Sequence, residues 1–334
     1  MNSTLSPRDS GKYIAEQAKH VTIFNSGIKE LAIEIVKHLQ DGSLRMSSFS
    51  QCEVHPSNAD DKAINWIFVV DTLNFCFWSA SSRKWCVTWR GKSYTGYMAL
   101  CAAINRALDE GFAITDPDYY SKVSIDDLKR IFRGDDESCG IPLLNERQKC
   151  LHEVGKVLLE KFDGSFVNCI KSCGNSAENL LKIIVGNFNC FKDEGVYNNV
   201  SVSFYKRAQI LIGDIWVCFK GEGLASFHDI DKLTMFADYR VPQVLIHFKT
   251  MKYSDELLEK LKKDEILKNG EQEEMEIRGC SIHVVELVMN EIKTLLPGVK
   301  CNSILVDHFL WDYRRQYATE LEVIPFHKTL SIFY

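Results

Sequence analysis

Two stretches of this chain hold side chains whose types and spacing suit chemistry. One is Ser203-Phe-Tyr-Lys-Arg-Ala-Gln-Ile-Leu-Ile-Gly-Asp-Ile-Trp216; the other is Thr234-Met-Phe-Ala-Asp-Tyr-Arg-Val-Pro-Gln243. Asp238 sits in an otherwise apolar and aromatic run, with Phe236 and Tyr239 close by. A carboxylate is costly to bury unless it is paired or hydrogen-bonded. The adjacent cations Lys206 and Arg207 suit a phosphate. An acid, aromatic faces and a phosphate grip together suit a nucleotide-like molecule. The plainer reading makes Asp238 a cap for a helix starting at Tyr239 or Val241, with Pro242 at an early helical position. The two readings coexist, because a helix N-terminus is electropositive and keeps a nearby carboxylate ionised.

Asp307-His-Phe-Leu-Trp-Asp-Tyr313 is a second candidate. On a helix, Asp307 and Trp311 share one face, and His308 and Asp312 share another at i,i+4. That is either a surface His–Asp pair with a core Trp or a polar grip on a ligand's edge. Lys206 and Arg207 likewise read as a solvated rim or as phosphate ligands. In Asp71-Thr-Leu-Asn-Phe-Cys-Phe-Trp78 the aromatics read as core, but Asn74 needs partners if buried.

The elements that must position these residues are mostly helical. Gly27 to Gln40 carries Ile28, Leu31, Ile35 and Leu39 on one face, and Tyr97 to Asp109 is rich in Ala and Leu. Ser124, Asn175-Ser176 and Ser254 stand where caps belong. Ile282 to Leu296 and Ile304 to Gln316 read as further helices. Glu259 to Glu276 reads as a solvated helix pair with a turn at Asn269-Gly270. The runs Trp66–Val70, Phe75–Trp78 and Trp85–Trp89 are aromatic and β-branched, which predicts a small antiparallel sheet around 66–94 with its turn in 79–84. The expected fold is therefore mostly α with a small antiparallel β element. A polar segment, 1–20, is expected to be loosely held ahead of a single compact domain over 21–334.

Composition narrows the function. Among 334 residues, 46% are hydrophobic and 25% charged, ordinary for a globular chain. Lys and Arg number 40 against 45 Asp and Glu, a net charge of −5, which disfavours a grip on long nucleic acid. The 12 cysteines include no Cys-x-x-Cys pair and no zinc-finger spacing. No apolar signal core or membrane-length run is evident, so a reducing cytoplasmic or nuclear setting is expected. Phosphate-loop, dinucleotide, His-Glu-x-x-His and Gly-x-Ser-x-Gly patterns are missing.

Taken with Asn65–Trp78, Tyr94-Thr-Gly-Tyr97, Leu100–Gly111, Glu276-Ile-Arg-Gly-Cys280 and Ile304–Tyr313, the two opening stretches resemble the queuosine salvage protein family, the queuosine 5′-phosphate N-glycosylase/hydrolases. The resemblance covers nearly the whole chain in order. It implies a helical fold related to DNA glycosylases and hydrolysis of queuosine 5′-monophosphate to release queuine for tRNA. It puts Asp238 at the catalytic position, Phe236 beside the base, and Asp307, His308 and Asp312 on the base-recognition segment. No metal or other cofactor is implied. A non-catalytic carrier of queuine or its nucleotide would use the same pocket, and turnover separates the two. A repair glycosylase acting on a flipped base is a third reading, disfavoured by the acidic balance.

Overall fold

Some of the helices begin where a side chain satisfies a first free amide. In the computed structural model, which describes residues 4–44, 48–79, 83–136 and 138–334, the Ser124 hydroxyl accepts from Asp127 N at 3.0 Å, Ser176 from Asn179 N at 3.1 Å, and Ser254 from Leu257 N at 3.2 Å. The helices that frame the site are α1 (Pro7–Gln17), α2 (Asn25–Gln40), α3 (Asp61–Thr72), α4 (Gly96–Asp109), α5 (Leu144–Lys161), α6 (Lys206–Cys218), α7 (Val241–His247), α8 (Gln272–Leu295) and α9 (Ser303–Gln316). The described strands are β1 (Val21–Ile23), β2 (Cys86–Trp89), β3 (Lys92–Thr95), β4 (Glu194–Tyr197), β5 (Val200–Ser203) and β6 (Met251–Tyr253). They pair antiparallel as β1–β6, β2–β3 and β4–β5. The fold is thus mostly α with small antiparallel pieces. Among the described residues, no helix is long and apolar enough to cross a membrane.

The sheet expected around 66–94 is corrected in part. Trp66–Val70 belongs to α3, whose cap Asp60 accepts from Ala63 N at 2.9 Å. Its apolar run is buried on every side by neighbouring helices, and such a run carries no period to tell helix from strand. Phe75–Trp78 is irregular, with Cys76 in the left-handed region at φ 44°. Only the third run forms a strand: β2 turns into β3 through Arg90 and Gly91, both at positive φ, as a tight two-residue hairpin requires. Of the expected turn at 79–84, residues 80–82 lie outside the described residues.

Within the described part of the N-terminal segment, Leu5 and Ser10 are tied to β5. Leu5 N donates to Ser201 O at 2.9 Å, and Ser203 N donates to the Ser10 hydroxyl at 2.9 Å. α1 crosses α8 at two glycines. A Cβ on Gly11 would lie 2.8 Å from Ile282 Cγ2, and one on Gly279 would lie 2.7 Å from Ile14 Cδ1. The charged run 259–276 is also only half solvated. Glu274 and Glu276 are buried on α8, and Arg278 follows them into the interior.

Two apolar cores meet at the candidate site. One gathers α3, α4, α5 and α6; the other gathers α1, α2, α7 and α8. Residues 235–239 run between them. Phe236 and Tyr239 join the first core, while Met235 and Ala237 join the second. α9 is shared likewise, with Ile304 and Leu305 on one side and Val306, Phe309 and Leu310 on the other. Gly279→Ala should wedge α1 from α8 and lower stability by about 1–3 kcal/mol, read as a lower urea midpoint; an unchanged midpoint would show that α1 adapts freely.

Candidate active site

The segment carrying Asp238 is held by side chains rather than by sheet or helix. Gln209 on α6 accepts from Thr234 N at 2.8 Å, and Asp307 Oδ1 on α9 accepts from Phe236 N at 2.9 Å. Arg278 Nε on α8 donates to Ala237 O at 3.1 Å. Asp238 Oδ1 then accepts from the amides of Arg240 at 2.9 Å and Val241 at 2.7 Å. The N-cap of α7 is Arg240, with no side-chain cap bond, so Asp238 closes a turn just ahead of the helix, with one oxygen, rather than capping the helix as anticipated. Tyr239 turns its hydroxyl to accept from Phe77 N at 3.3 Å, which ties the segment to the irregular 75–78 stretch.

α6 supplies the opposite wall. Tyr205, left-handed at φ 48°, precedes its first residue, and the Asp193 carboxylate accepts from Lys206 N at 3.3 Å. The Lys206 ammonium is buried and donates to Asn74 O at 3.2 Å. Burial lowers its pKa to about 8, against the pull of Asp238, Asp71 and Asp307. Gly213 lies under the Phe236 ring, where a Cβ would come within 2.9 Å of Cζ. Asn74 finds its partner in Asp71, donating to Oδ1 at 3.2 Å.

Asp307 is 5% exposed, and burial together with the charge of Asp238 pushes its pKa well above the usual carboxylate range. Its second oxygen accepts no hydrogen bond from a described residue. His308 faces Phe236 with ring centres 6.4 Å apart, and burial lowers its pKa to about 4, so the ring is neutral at pH 7. Asp312, one turn further along α9, is exposed at the rim near Arg315.

Arg207 requires a correction. Its guanidinium is 1% exposed and donates to the carbonyls of Asp71, Thr72 and Cys190, between the rings of Phe75 and Phe191. Both terminal nitrogens are committed to the backbone that knits α6 to α3, and the buried Nε has no partner among the described residues. Lys206, Phe236, Asp238 and Asp307 are the predicted residues that come together, with His308 and Asn74 beside them.

Three further groups border this cluster. Asp71 is fully buried, and burial raises its pKa to about 7. Asp214 on α6 is buried, and burial plus its neighbours Asp71 and Asp307 raise its pKa well above the usual carboxylate range. Both are lone acids in apolar runs, so the argument applied to Asp238 would have found them. His55 gave no such signal. Its Nδ1 lies 3.2 Å from Phe49 O and its Nε2 3.1 Å from the Tyr97 hydroxyl. Burial lowers its pKa to about 4, so neutral His55 donates from Nδ1 and accepts at Nε2. Tyr97 in turn meets Trp311 of α9 edge-on at 6.1 Å.

A helical scaffold with a buried cluster of acids, one lysine and aromatic rings has the chemistry of a small-molecule site. The chain belongs to the queuosine salvage protein family, whose model matches residues 54–334. It is 45% identical to a Bos taurus protein and 44% identical to one from Mus musculus, each match covering 100% of both chains. It is 39% identical to a protein of Sphaerobacter thermophilus over 84% of each chain. All three relatives are named queuosine 5′-phosphate N-glycosylase/hydrolase.

Arg207→Met should lower stability by at least about 2 kcal/mol, because it strands buried carbonyls. Lys206→Met should cost less, since it removes a desolvated charge with a single partner. Urea denaturation of both variants checks this, and equal midpoints would contradict the knitting role of Arg207.

Proposed function

We propose that this protein hydrolyses the N-glycosidic bond of queuosine 5′-monophosphate and releases queuine, with Asp238 as its catalytic carboxylate. The observation that carries the reading is the setting of Asp238. One oxygen is fixed by two backbone amides, and the carboxylate stands within the fields of Lys206 and Asp307. Breaking a glycosidic bond passes through an oxocarbenium-like state with positive charge on the sugar. A carboxylate held rigidly near the anomeric carbon stabilises that charge without reorganising. The same carboxylate aligns water or attacks directly.

The remaining groups suit the rest of the substrate. The base stacks on Phe236. Its ring N–H and exocyclic amino group are donors, and the unpartnered oxygen of Asp307 accepts them. Accepting those bonds favours the ionised carboxylate and offsets the burial that raises its pKa. His308, neutral, adds a polar edge beside the base. Lys206 takes the 5′-phosphate, the part of the earlier phosphate reading that survives the loss of Arg207. The work belongs in a reducing compartment, where the 12 free cysteines remain thiols.

Asp238→Asn should lower kcat about 10²–10³-fold, the cost of removing a preorganised electrostatic stabiliser. Free queuine followed by chromatography measures it. Tight substrate binding without release by the parent protein would instead make it a carrier. Lys206 gives a pH signature. Below about pH 8 it is protonated and holds the phosphate; above about pH 8 it is neutral. The preference in kcat/KM for the monophosphate over the nucleoside should therefore shrink between pH 7 and pH 9.5. A constant preference would remove Lys206 from the phosphate.

A further inference from the structure

A buried carboxylate needs a partner, and Asp214 has none. It lies on α6 two turns beyond Lys206, is 8% exposed, and accepts no hydrogen bond from any described residue. The residue before it, Gly213, packs against the Phe236 ring, and Asp214 itself stands within the fields of Asp71 and Asp307. Across from it on α3, Asp71 is fully buried, and its Oδ2 also lacks a partner. Tyr97 and Cys101 of α4 close the far side, within the fields of both acids. Lys206, the cation nearest these carboxylates, has its ammonium on the Asn74 carbonyl.

This end of the site therefore holds more acid than base and an acceptor with nothing to accept. An organic cation with N–H donors would supply both the charge and the donor that are missing. Queuine carries such a group. Its cyclopentenediol is joined to the base through a methylene and a secondary amine, which is protonated at neutral pH.

We propose, resting on the substrate reading above, that Asp214 receives this secondary ammonium and so selects 7-deazaguanines that carry a cationic arm over those that do not. Asp307 then reads the base edge, Asp238 faces the sugar, and Asp214 fixes the direction of the arm. The ammonium restores charge balance and supplies the donor that Asp214 lacks.

Three 5′-monophosphates test this on the intact protein: queuosine, 7-aminomethyl-7-deazaguanosine and 7-cyano-7-deazaguanosine. The first two carry the cation and the third does not. Asp214→Asn keeps the size and removes the charge. Its KM should rise about 10–100-fold for the two cationic substrates, the range of a charge-assisted hydrogen bond, and change little for the cyano compound. An equal loss on all three would overturn the role of Asp214 and leave the hydrolase reading standing. No release by the parent protein from any of them would instead overturn the hydrolase reading. Calorimetry on the unaltered protein covers a variant that does not fold. The free base 7-aminomethyl-7-deazaguanine should bind at least about 10-fold more tightly than its 7-cyano counterpart; equal affinities would overturn the proposal.

Discussion

Arg278 is the interaction on which the rest of the structure depends. Its guanidinium is sealed between the rings of Phe204 and Tyr334, each 4.1 Å away. It holds both oxygens of Asp193, at 3.0 and 2.5 Å, and reaches Glu274 at 3.3 Å. A charge so buried is tolerable only with such a complement of partners. Asp193 in turn accepts the amide that opens α6, and Arg278 donates to Ala237 O. One cation thereby fixes Lys206 and Asp238 relative to each other across the two cores. Glu274 extends the node, accepting from Gly270 N at 2.9 Å and from the Tyr334 hydroxyl at 2.7 Å.

The seam between the cores explains why polar side chains gather here. An extended segment between two apolar masses sends alternate residues each way, and its backbone amides and carbonyls still need partners. Gln209, Asp307 and Arg278 provide them. Arg207 does the equivalent work for the end of α3, where the chain leaves the helix before its carbonyls are satisfied. A cation tied to three carbonyls and one with a single carbonyl partner thus sit side by side on α6.

That adjacency marks where sequence reading succeeds and where it stops. Helices capped by Ser or bearing an apolar stripe were legible, as were the isolated acids Asp238 and Asp307. Trp66–Val70 was not, because a helix buried all round shows the same composition as a buried strand. Lys206 and Arg207 are neighbours in an identical setting, and only tertiary contacts turn one toward Asn74 and the other into three carbonyls. Glu274 and Glu276 looked like solvent-facing charge because their partners, Arg278 and the Tyr197 hydroxyl at 2.9 Å, are not recognisable from local pattern. His55 depends on contacts with Phe49 and Tyr97, which no spacing announces.

The site is braced on one side far more than on the other. Residues 234–239 and the start of α6 are bolted to buried charge, whereas Asp312, Trp311 and Arg315 stand at the outer end of α9 with a single stacked cation between them. Phe236 and Asp307 keep only 4% and 5% of their surface open. Any molecule that is to touch both must displace their neighbours. Rigidity is thus unevenly shared around these side chains, and the outer end of α9 is where the fold has least to lose by yielding.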